Sequence, residues 1–576
     1  MADQKQVASL LKRLADLMEL DGENSFKVNA YRRAARAVEN SRVALDALEG
    51  GPEALPGVGK GTAAVIKEIM ETGRLEQLEA LRQKLPKGLP ELMNIPGLGP
   101  KSIYGLHSRL GITDLDELER AGEEKQIRKL PGFGEKKEKN ILEEIRRYRK
   151  RPTRHLLVDA LRVAQGFLDH LRGREDVTQA EMAGSLRRMK ETVKDIDLVV
   201  ATEYPVEVGN EIVSMPGVSK VISHGETKVS VWVSTEEFEI QVDVRLVPPE
   251  QFITTLHHFT GSKEHNVRIR QRAKEFGWKV SEYGIYDPDT GKELTLDREE
   301  ALYHQLQLPY VIPEMREDRG EFDRNASDLP KPLTIEQYRG DLHMHTRWSD
   351  GTSSVREMAL AAQELGYEYI CITDHSQSLK VAGGLSVDDL RRQREEIEKV
   401  NEELKGITVL SGVEMDILPD GQLDYPDEVL QELDLVIASI HSSFHQDKET
   451  MTRRILQAVE HPCVHVIAHP TGRIINRRDS YQVDLDEVFE AAARTGTALE
   501  LNANPHRLDL SDLNIKKAKE IDGLYFSINT DAHSPQAFHS IELGMATARR
   551  GWLEAKDVIN TFPLDQLRKW LHGKKK

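Results

Sequence analysis

The 576-residue sequence has two cysteines, Cys371 and Cys463, and only 6% aromatic residues. Two cysteines cannot form a disulfide scaffold, and they are typical of a reducing compartment. No apolar run approaches the roughly 20 residues that a transmembrane helix requires, and no cleavable N-terminal signal is present. We therefore expect a cytoplasmic protein that does not bind membranes, with room for three or four domains.

Charge is divided unevenly along the chain. The 79 Lys and Arg residues face 96 Asp and Glu residues, a net charge of −17. Residues 1–150 hold 27 basic and 24 acidic side chains, a net of +3, so residues 151–576 carry −20. Local patches rather than the total determine the field that a ligand meets. The acidic total therefore does not exclude nucleic acid binding, and it suits a C-terminal part that holds cations.

Histidine and acidic residues follow short apolar runs in the C-terminal part. They are His343, His345, Asp350, His375, Glu414, His441, His469, Asp531 and His533. Each would have to be desolvated and hydrogen-bonded in an ordinary core, so the set indicates a site for several metal ions. The alternative, unrelated polar groups at strand ends, suits single histidines better than the set. Imidazole and carboxylate ligands favour Zn, Mn or Fe over an iron–sulfur centre.

The apolar runs read as buried strands, and helical stretches such as 355–366 and 387–405 separate some of them. Strand–helix alternation predicts parallel pairing, and a parallel barrel gathers the carboxyl ends of its strands on one face. In Asp341-Leu-His-Met-His, the two histidines should share one face of a strand while Leu342 and Met344 take the other.

The segments DLHMHTRWSDG, ITDH, GVEMDI, IHSSFH, AHP and NTDAH resemble the motif series of the PHP (polymerase and histidinol phosphatase) superfamily over residues 338–576. This resemblance implies a distorted barrel of seven strand–helix units that binds three metal ions, Mn²⁺ or Zn²⁺, and cleaves phosphate esters. All nine ligand positions of the family's fuller version are occupied here.

A repeat of the form apolar-Pro-Gly-apolar-Gly occurs three times in the first 150 residues, and each copy opens a helical stretch. Its glycines are Gly57 and Gly59, Gly97 and Gly99, and Gly132 and Gly134. Paired glycines permit a tight turn and let backbone N–H groups approach a phosphate at a helix N-terminus without reading base sequence. The copies resemble helix-hairpin-helix motifs, which predicts DNA binding; a single copy would be only a turn.

A second carboxylate set lies between residues 184 and 270. Asp195 and Asp197 fall on one face of a predicted strand, and a later alternating strand presents Asp243. Three carboxylates on neighbouring strands suffice for two Mg²⁺ ions, which stabilise the entering and leaving oxygens of an in-line phosphoryl displacement. A lone Asp-x-Asp would instead be an ordinary exposed strand face.

The context of these aspartates, Gly184-Ser-Leu-Arg-Arg188, His224-Gly-Glu-Thr-Lys228 and Phe259-Thr-Gly-Ser-Lys-Glu-His-Asn266, resembles the family X (DNA polymerase beta) group over residues 1–312. The resemblance implies that Asp195 and Asp197 bind both Mg²⁺ ions and that Asp243 binds the catalytic one. It implies nucleotide binding by Gly184, Ser185, Arg188, Gly261, Asn266 and Arg270. Arg187 and Lys228 have plausible structural roles as surface ion pairs.

Two departures limit this transfer. The Schiff-base lysine of the family's lyase members is matched here by Val65, and an apolar side chain cannot form an imine, so we expect weak or absent deoxyribose-phosphate lyase activity. His258 precedes Phe259 where a tyrosine is usual in animal members, which leaves ribonucleotide exclusion open.

Together the motifs predict a multidomain α/β protein with a helical helix-hairpin-helix region, an α+β nucleotidyltransferase palm and a distorted (β/α)7 barrel. The expected domains are 1–90 and 91–150 for DNA binding, 151–312 for the palm and nucleotide selection, a linker at 313–337, and the PHP domain at 338–576.

The expected protein is a monomeric DNA polymerase that uses dNTPs to fill gapped or primer-template DNA in base excision repair, with a 3′–5′ exonuclease in its PHP domain. Cleavage at abasic sites stays open. Two alternatives also stay open: a phosphatase of small phosphate esters with a nucleic-acid-binding N-terminal region, and a polymerase whose PHP domain is only a structural brace.

Overall fold

The computed structural model describes residues 4–574, apart from residues 40, 42–44, 46–47, 49, 96, 151–153, 283, 288, 292, 295 and 324–328. The chain divides into two compact units, Met1–Thr153 and Arg154–Lys576. No helix in this described part combines the length and the apolar composition that a membrane crossing requires.

The first unit is helical around one apolar core, in which Leu11, Ile66 and Ile103 are fully buried. Each glycine repeat immediately precedes a helix, because the second glycine is extended and the next residue begins the hydrogen-bonded turns. The helices are α1 (Gln4–Leu20), α2 (Ser25–Glu39), α3 (Lys60–Thr72), α4 (Glu76–Lys84), α5 (Pro100–Leu110), α6 (Leu115–Glu123) and α7 (Glu135–Lys150).

The second unit begins with a mixed five-stranded sheet in the order β2-β4-β7-β6-β5, in which only β4 and β7 are parallel. Period-2 alternation buries Ile196 and Leu198 on one side and leaves Asp195 and Asp197 on the other. The elements are β1 (His155–Leu156), α8 (Leu157–Arg172), β2 (Gln179–Met182), α9 (Gly184–Arg187), β3 (Thr192–Val193), β4 (Asp195–Ala201), α10 (Pro205–Ser214), β5 (Val218–His224), β6 (Lys228–Ser234) and β7 (Glu239–Val247).

A smaller subdomain follows, with its own core around Ile269, Leu302 and Tyr303. A short antiparallel sheet lies in its middle. Its elements are α11 (Phe252–Thr260), α12 (Lys263–Glu275), β8 (Lys279–Val280), β9 (Ile285–Tyr286), β10 (Glu293–Leu294) and α13 (Glu299–Gln305).

The rest of the unit contains a parallel sheet of seven strands in sequence order. A bridge between Met344 and Ala532 joins the segment after the first strand to the segment after the last, so the barrel is nearly closed. The elements are β11 (Gly340–Asp341), α14 (Val355–Glu364), β12 (Tyr369–Ile372), α15 (Val387–Glu403), β13 (Thr408–Asp416), α16 (Asp427–Leu430), β14 (Leu435–Ser439), α17 (Lys448–Val459), β15 (Val466–Ile467), α18 (Leu485–Thr495), β16 (Ala498–Asn502), α19 (Asp512–Ala518), β17 (Phe526–Asn529), α20 (Ile541–Arg550) and α21 (Leu564–Lys574).

The predicted fold class is therefore confirmed, with shorter strands than the apolar runs suggested. The strand expected to carry His343 and His345 ends at Asp341, and the histidines lie in the segment that runs on to the closing bridge. The predicted domain boundaries at residues 90, 312 and 337 stay predictions.

Candidate active sites

Two of the three predicted catalytic aspartates are direct neighbours across parallel strands. Asp197 of β4 stands opposite Asp243 of β7, and Asp195 stands opposite Gln241. Gly184 has a φ of +59°, and a side chain there would lie 2.1 Å from Asp197 Oδ2. Glycine is required because the turn before α9 presses its backbone against this carboxylate.

Burial and the charges of Asp195 and Asp243 raise the pKa of Asp197 to about 7. Burial disfavours ionisation of Asp243 as well, but hydrogen bonds from Lys228 Nζ (2.7 Å) and Gln241 Nε2 (2.9 Å) hold its pKa below the usual range. Carboxylates that repel one another on a half-buried face of the sheet suit a divalent cation. The oxygens of the three do not all lie within 4.8 Å of one another, as the ligand atoms of the barrel groups do, and Lys228 pairs with one oxygen of Asp243.

Two adjacent arginines of the Gly184-Ser185 turn have partners in the structure. Arg187 forms an ion pair with Glu299 at 2.7 Å, and this pair is largely buried, not at the surface as expected. The side chain of Ser185 is half-buried. Arg188 donates from Nε to Glu317 (3.0 Å) and from Nη1 to the carbonyl of Thr260 (2.9 Å). Arg188, which is predicted to bind the nucleotide phosphates, is thus held at the base of the turn.

The remaining predicted nucleotide residues lie at the junction of α11 and α12. Gly261 separates the helices, and a side chain there would approach Asn266 Oδ1 to 2.7 Å. Asn266 donates from Nδ2 to the carbonyl of His258 at 2.7 Å. Arg270 lies one turn further along α12 and is half-buried. Asn266 therefore holds the backbone on which the ribose-discriminating residue is expected.

The centre of the barrel site is Glu414, at the carboxyl end of β13. Five imidazoles approach its oxygens within 3.4 Å, those of His343 (3.3 Å), His345 (3.4 Å), His375 (2.9 Å), His441 (3.2 Å) and His469 (2.9 Å). Asp531 Oδ1 lies 3.2 Å from His345 Nε2, and Asp350 Oδ1 lies 3.3 Å from His533 Nε2. All nine predicted ligands therefore meet at one end of the barrel.

Seven of the nine predicted ligands offer atoms that form three overlapping groups within 4.8 Å. These groups are His345, Asp350, His375 and His533; His343, His345 and Glu414; and His375, Glu414 and His441. Nδ1 of His345 is buried and makes no hydrogen bond to the residues described. A buried imidazole nitrogen without a hydrogen bond can coordinate a metal ion, and carboxylates lie close to it. The residues therefore fit divalent cations.

Buried carboxylates behind the ligands fix imidazole orientation. Glu500 of β16 accepts from His343 Nδ1 at 2.7 Å and from Asn529 Nδ2 at 2.9 Å. Asp416 accepts from His441 Nδ1 at 2.6 Å. Both contacts direct Nε2 of the imidazole toward the centre, as in carboxylate–histidine–metal triads.

Electrostatics within the barrel site depend on burial and on close opposite charges. Burial and the charges of His533 and His375 lower the pKa of His345 to about 4. Burial opposes ionisation of Glu414, yet the surrounding imidazoles hold its pKa well below the usual range. Glu414 is thus kept ionised and His345 neutral, the forms that bind metal. Neighbouring carboxylates instead raise the pKa of His343, His375, His441 and His533, so a metal ion would have to displace protons from them.

The sequence missed Glu500, Asp416, Glu317 and Glu299. Glu500 and Asp416 had a local signal: Glu500 interrupts the apolar run Ala498-Leu-Glu-Leu, and Asp416 lies two residues after Glu414 on the same strand. Glu317 and Glu299 are recognised only through partners far away in the chain.

The first glycine of each repeat, Gly57, Gly97 and Gly132, has a φ of +75°, +85° and +83° respectively. No atom lies within 4 Å of a side chain built on these residues or on Gly59, Gly99 and Gly134. The turns are therefore open, and a phosphate could approach their backbone. Val65 is packed against the helical core, where an apolar residue is expected.

Four segments of the chain match known family models. Residues 2–75 match a helix-hairpin-helix domain, residues 89–147 a SAM-like helix-hairpin-helix tandem, residues 255–317 the DNA polymerase beta thumb and residues 341–504 the PHP domain. The chain is 46% identical over 567 residues to a Bacillus subtilis (strain 168) protein named DNA polymerase/3′-5′ exonuclease PolX, covering 98% of this chain and 99% of that one.

The chain belongs to the family X DNA polymerases that carry a PHP domain. The resemblance stated from the sequence is thereby confirmed. A probable phosphatase of Thermoanaerobacter sp. (strain X514) is 29% identical over 247 residues, 41% of this chain and 95% of that protein. A probable phosphatase of Acetivibrio thermocellus is 35% identical over 167 residues, 28% of this chain and 64% of that protein.

Proposed function

We propose that this protein is a template-directed DNA polymerase that fills short gaps, and that its PHP domain is a metal-dependent 3′–5′ exonuclease acting on the same primer end. The observation that carries the proposal is that one unit holds both the pairing of Asp197 with Asp243 and a separate cluster of the nine predicted metal ligands. The name of the Bacillus subtilis relative supports both activities.

In the polymerase site, Asp195, Asp197 and Asp243 would hold two Mg²⁺ ions, which supply charge stabilisation for the entering and leaving oxygens. Asp243 would accept the proton of the primer hydroxyl, which requires Lys228 to give up its hydrogen bond to this carboxylate. Ser185 would hold the triphosphate, and Arg188 would add the guanidinium N–H groups that its hydrogen bonds to Glu317 and Thr260 leave free. Asn266 and Arg270 would contact the incoming nucleotide and the template side, and Gly261 leaves space at the sugar.

In the exonuclease site, the nine ligands would hold three ions, Mn²⁺ or Zn²⁺, which supply an activated water and offset phosphate charge. Glu500 and Asp416 would orient His343 and His441 and make their imidazoles more basic ligands. The six repeat glycines would let backbone amides hold the DNA backbone without base preference.

The proposal also includes a role in base excision repair, action as a monomer and a cytoplasmic location. Abasic-site cleavage by the same PHP centre is compatible with it, since the reaction also breaks a phosphodiester. The apolar Val65 supports weak or absent lyase activity.

A second candidate is a phosphatase of small esters, which the two probable phosphatases matching the PHP region favour. The helix-hairpin-helix regions and the paired aspartates favour the polymerase. The test is extension and digestion of 3′-labelled and 5′-labelled gapped DNA with Mg²⁺ and Mn²⁺ separately. We expect extension with Mg²⁺ and digestion from the 3′ end with Mn²⁺. Phosphate release from small esters without either DNA reaction would contradict the proposal.

A further inference from the structure

Arg507 lies in the loop after β16 and points its charge toward the metal-ligand cluster. Its Nε is 3.7 Å from Asp531 Oδ2, and its side chain is 18% exposed. The adjacent turn is closed by the pairing of Asn502 with Asp509 and by hydrogen bonds from the amides of Arg507 and Leu508 to the Asn504 carbonyl. The guanidinium is therefore carried by a fixed loop.

This guanidinium has an unused donor. Nη1 of Arg507 is buried and makes no hydrogen bond with any residue in the described ranges. Buried donors are almost always paired in a working protein, so the position calls for an acceptor that binds from outside. Burial lowers the pKa of His469, and the nearby charge of Arg507 lowers it further.

An arginine cannot be a metal ligand, because it has no free lone pair at any accessible pH. Placed beside a cluster that binds cations, it would be repelled by them unless anions lay between. Asp531 offers one carboxylate oxygen near Nε, and the unpaired Nη1 is left for a second anion. A phosphate oxygen can bridge metal ions and guanidinium at once, and guanidinium matches phosphate geometry. The ligand that reconciles these charges is thus a phosphate group.

We propose that Arg507 binds the non-bridging oxygens of the phosphate that is cleaved in the PHP site. The proposal rests on the exonuclease function proposed above and adds a substrate-contacting residue to it. It applies to a phosphodiester and equally to the phosphate of the released mononucleotide.

The palm side of the unit holds this loop in place. Leu508, with a φ of +39°, is fully buried in the palm core beside Leu543. Arg473 donates to the carbonyl of Leu508 and forms an ion pair with Glu191 of the palm at 2.6 Å. The position of Arg507 in the nuclease site is therefore determined by packing against the polymerase part.

The test compares Arg507→Gln and Arg507→Lys with Arg477→Gln, a matched removal of an exposed arginine in the neighbouring loop. All three are made in full-length protein with Asp195→Ala and Asp197→Ala, so that nucleotide binding at the palm does not interfere. The measurements are Mn²⁺-dependent digestion of single-stranded DNA, bound metal per chain, and equilibrium dialysis with deoxythymidine 5′-monophosphate.

A hydrogen-bonded charge pair of this kind predicts that Arg507→Gln lowers exonuclease kcat/KM by about ten- to a hundred-fold and mononucleotide affinity about ten-fold. Bound metal should stay equal to that of Arg477→Gln, and Arg507→Lys should recover part of the affinity. Effects within two-fold of Arg477→Gln, or loss of bound metal, would overturn the proposal. If the parent protein digests no DNA but loses mononucleotide binding on Arg507→Gln, the exonuclease fails and the phosphate contact stands.

Discussion

Two neighbouring aspartates show how the local environment shifts the pKa of one residue type in opposite directions. Asp197 is buried between Asp195 and Asp243, and its pKa is raised to about 7. Asp243 is held by Lys228 and Gln241, and its pKa is lowered. The same side chain is thus partly protonated in one place and ionised in its neighbour, because burial and hydrogen bonds act in opposite directions.

The raised pKa of Asp197 predicts that Mg²⁺ affinity at the polymerase site depends on pH. A carboxyl must be deprotonated to bind a cation, so each pH unit below about 7 should weaken binding by up to roughly ten-fold, whereas affinity should level off above it. The measurement is the Mg²⁺ concentration at half-maximal primer extension at pH 6, 7 and 8 in the His343→Ala, His345→Ala background. Equal half-saturation at all three pH values would contradict it.

Glu500 predicts a residue-scale effect on the nuclease alone. Glu500→Gln replaces the anion that accepts from His343 Nδ1 at 2.7 Å, and metal affinity should fall about ten- to a hundred-fold. The change is read by titrating Mn²⁺ into metal-free protein. The control is Glu490→Gln on the exposed side of α18, which should bind Mn²⁺ like the parent. Unchanged affinity in Glu500→Gln would remove its proposed orienting role.

At the scale of elements, the three glycine repeats form one structural unit used three times. Gly59 and Gly99 have nearly the same extended conformation, with φ of −93° and −91° before α3 and α5. The preceding glycines all have positive φ, which disfavours any residue with a side chain. Repeated geometry with open space around it supports binding to a repeating backbone.

We predict that Gly97→Ala with Gly132→Ala weakens binding to gapped DNA several-fold, because each alanine is strained at positive φ and shifts the amides. Fluorescence anisotropy measures the affinity, and thermal unfolding measures the strain. Gly105→Ala within α5 is the control, since no atom opposes its side chain and alanine favours a helix. A folded double variant with parental affinity would contradict the DNA role of the turns.

At the scale of the whole molecule, polymerase residues and barrel residues are joined by ion pairs in the second unit. Arg550 of α20 donates to the carbonyl of Arg188 at 2.6 Å and forms an ion pair with Glu317 at 3.0 Å. Glu317 is also the partner of the Arg188 side chain. The predicted nucleotide-binding turn therefore rests on the barrel, and the PHP domain braces the palm in addition to carrying ligands.

Separate sites predict separable activities. Asp195→Ala with Asp197→Ala should abolish primer extension and keep digestion. These changes remove two predicted Mg²⁺ ligands on β4 and leave the barrel residues unchanged. His343→Ala with His345→Ala should abolish digestion and keep extension. Both reactions are followed on the same gapped substrate with Mg²⁺ and with Mn²⁺. Loss of both activities from either pair of changes would contradict the two-site arrangement.

The sequence by itself determined the chemistry of this protein. Residue types and spacing predicted the nine histidine and acidic residues that meet in the barrel, the three aspartates and the glycine repeats, because ligand atoms and turn conformations are local properties of a residue and its neighbours. Only the tertiary structure decided that Glu414 lies at the centre of the histidine cluster and that Lys228 forms an ion pair with Asp243. It also decided that the loop with Arg507 and Leu508 connects the barrel site to the palm core. Those facts depend on contacts between residues far apart in the chain, which no local period encodes.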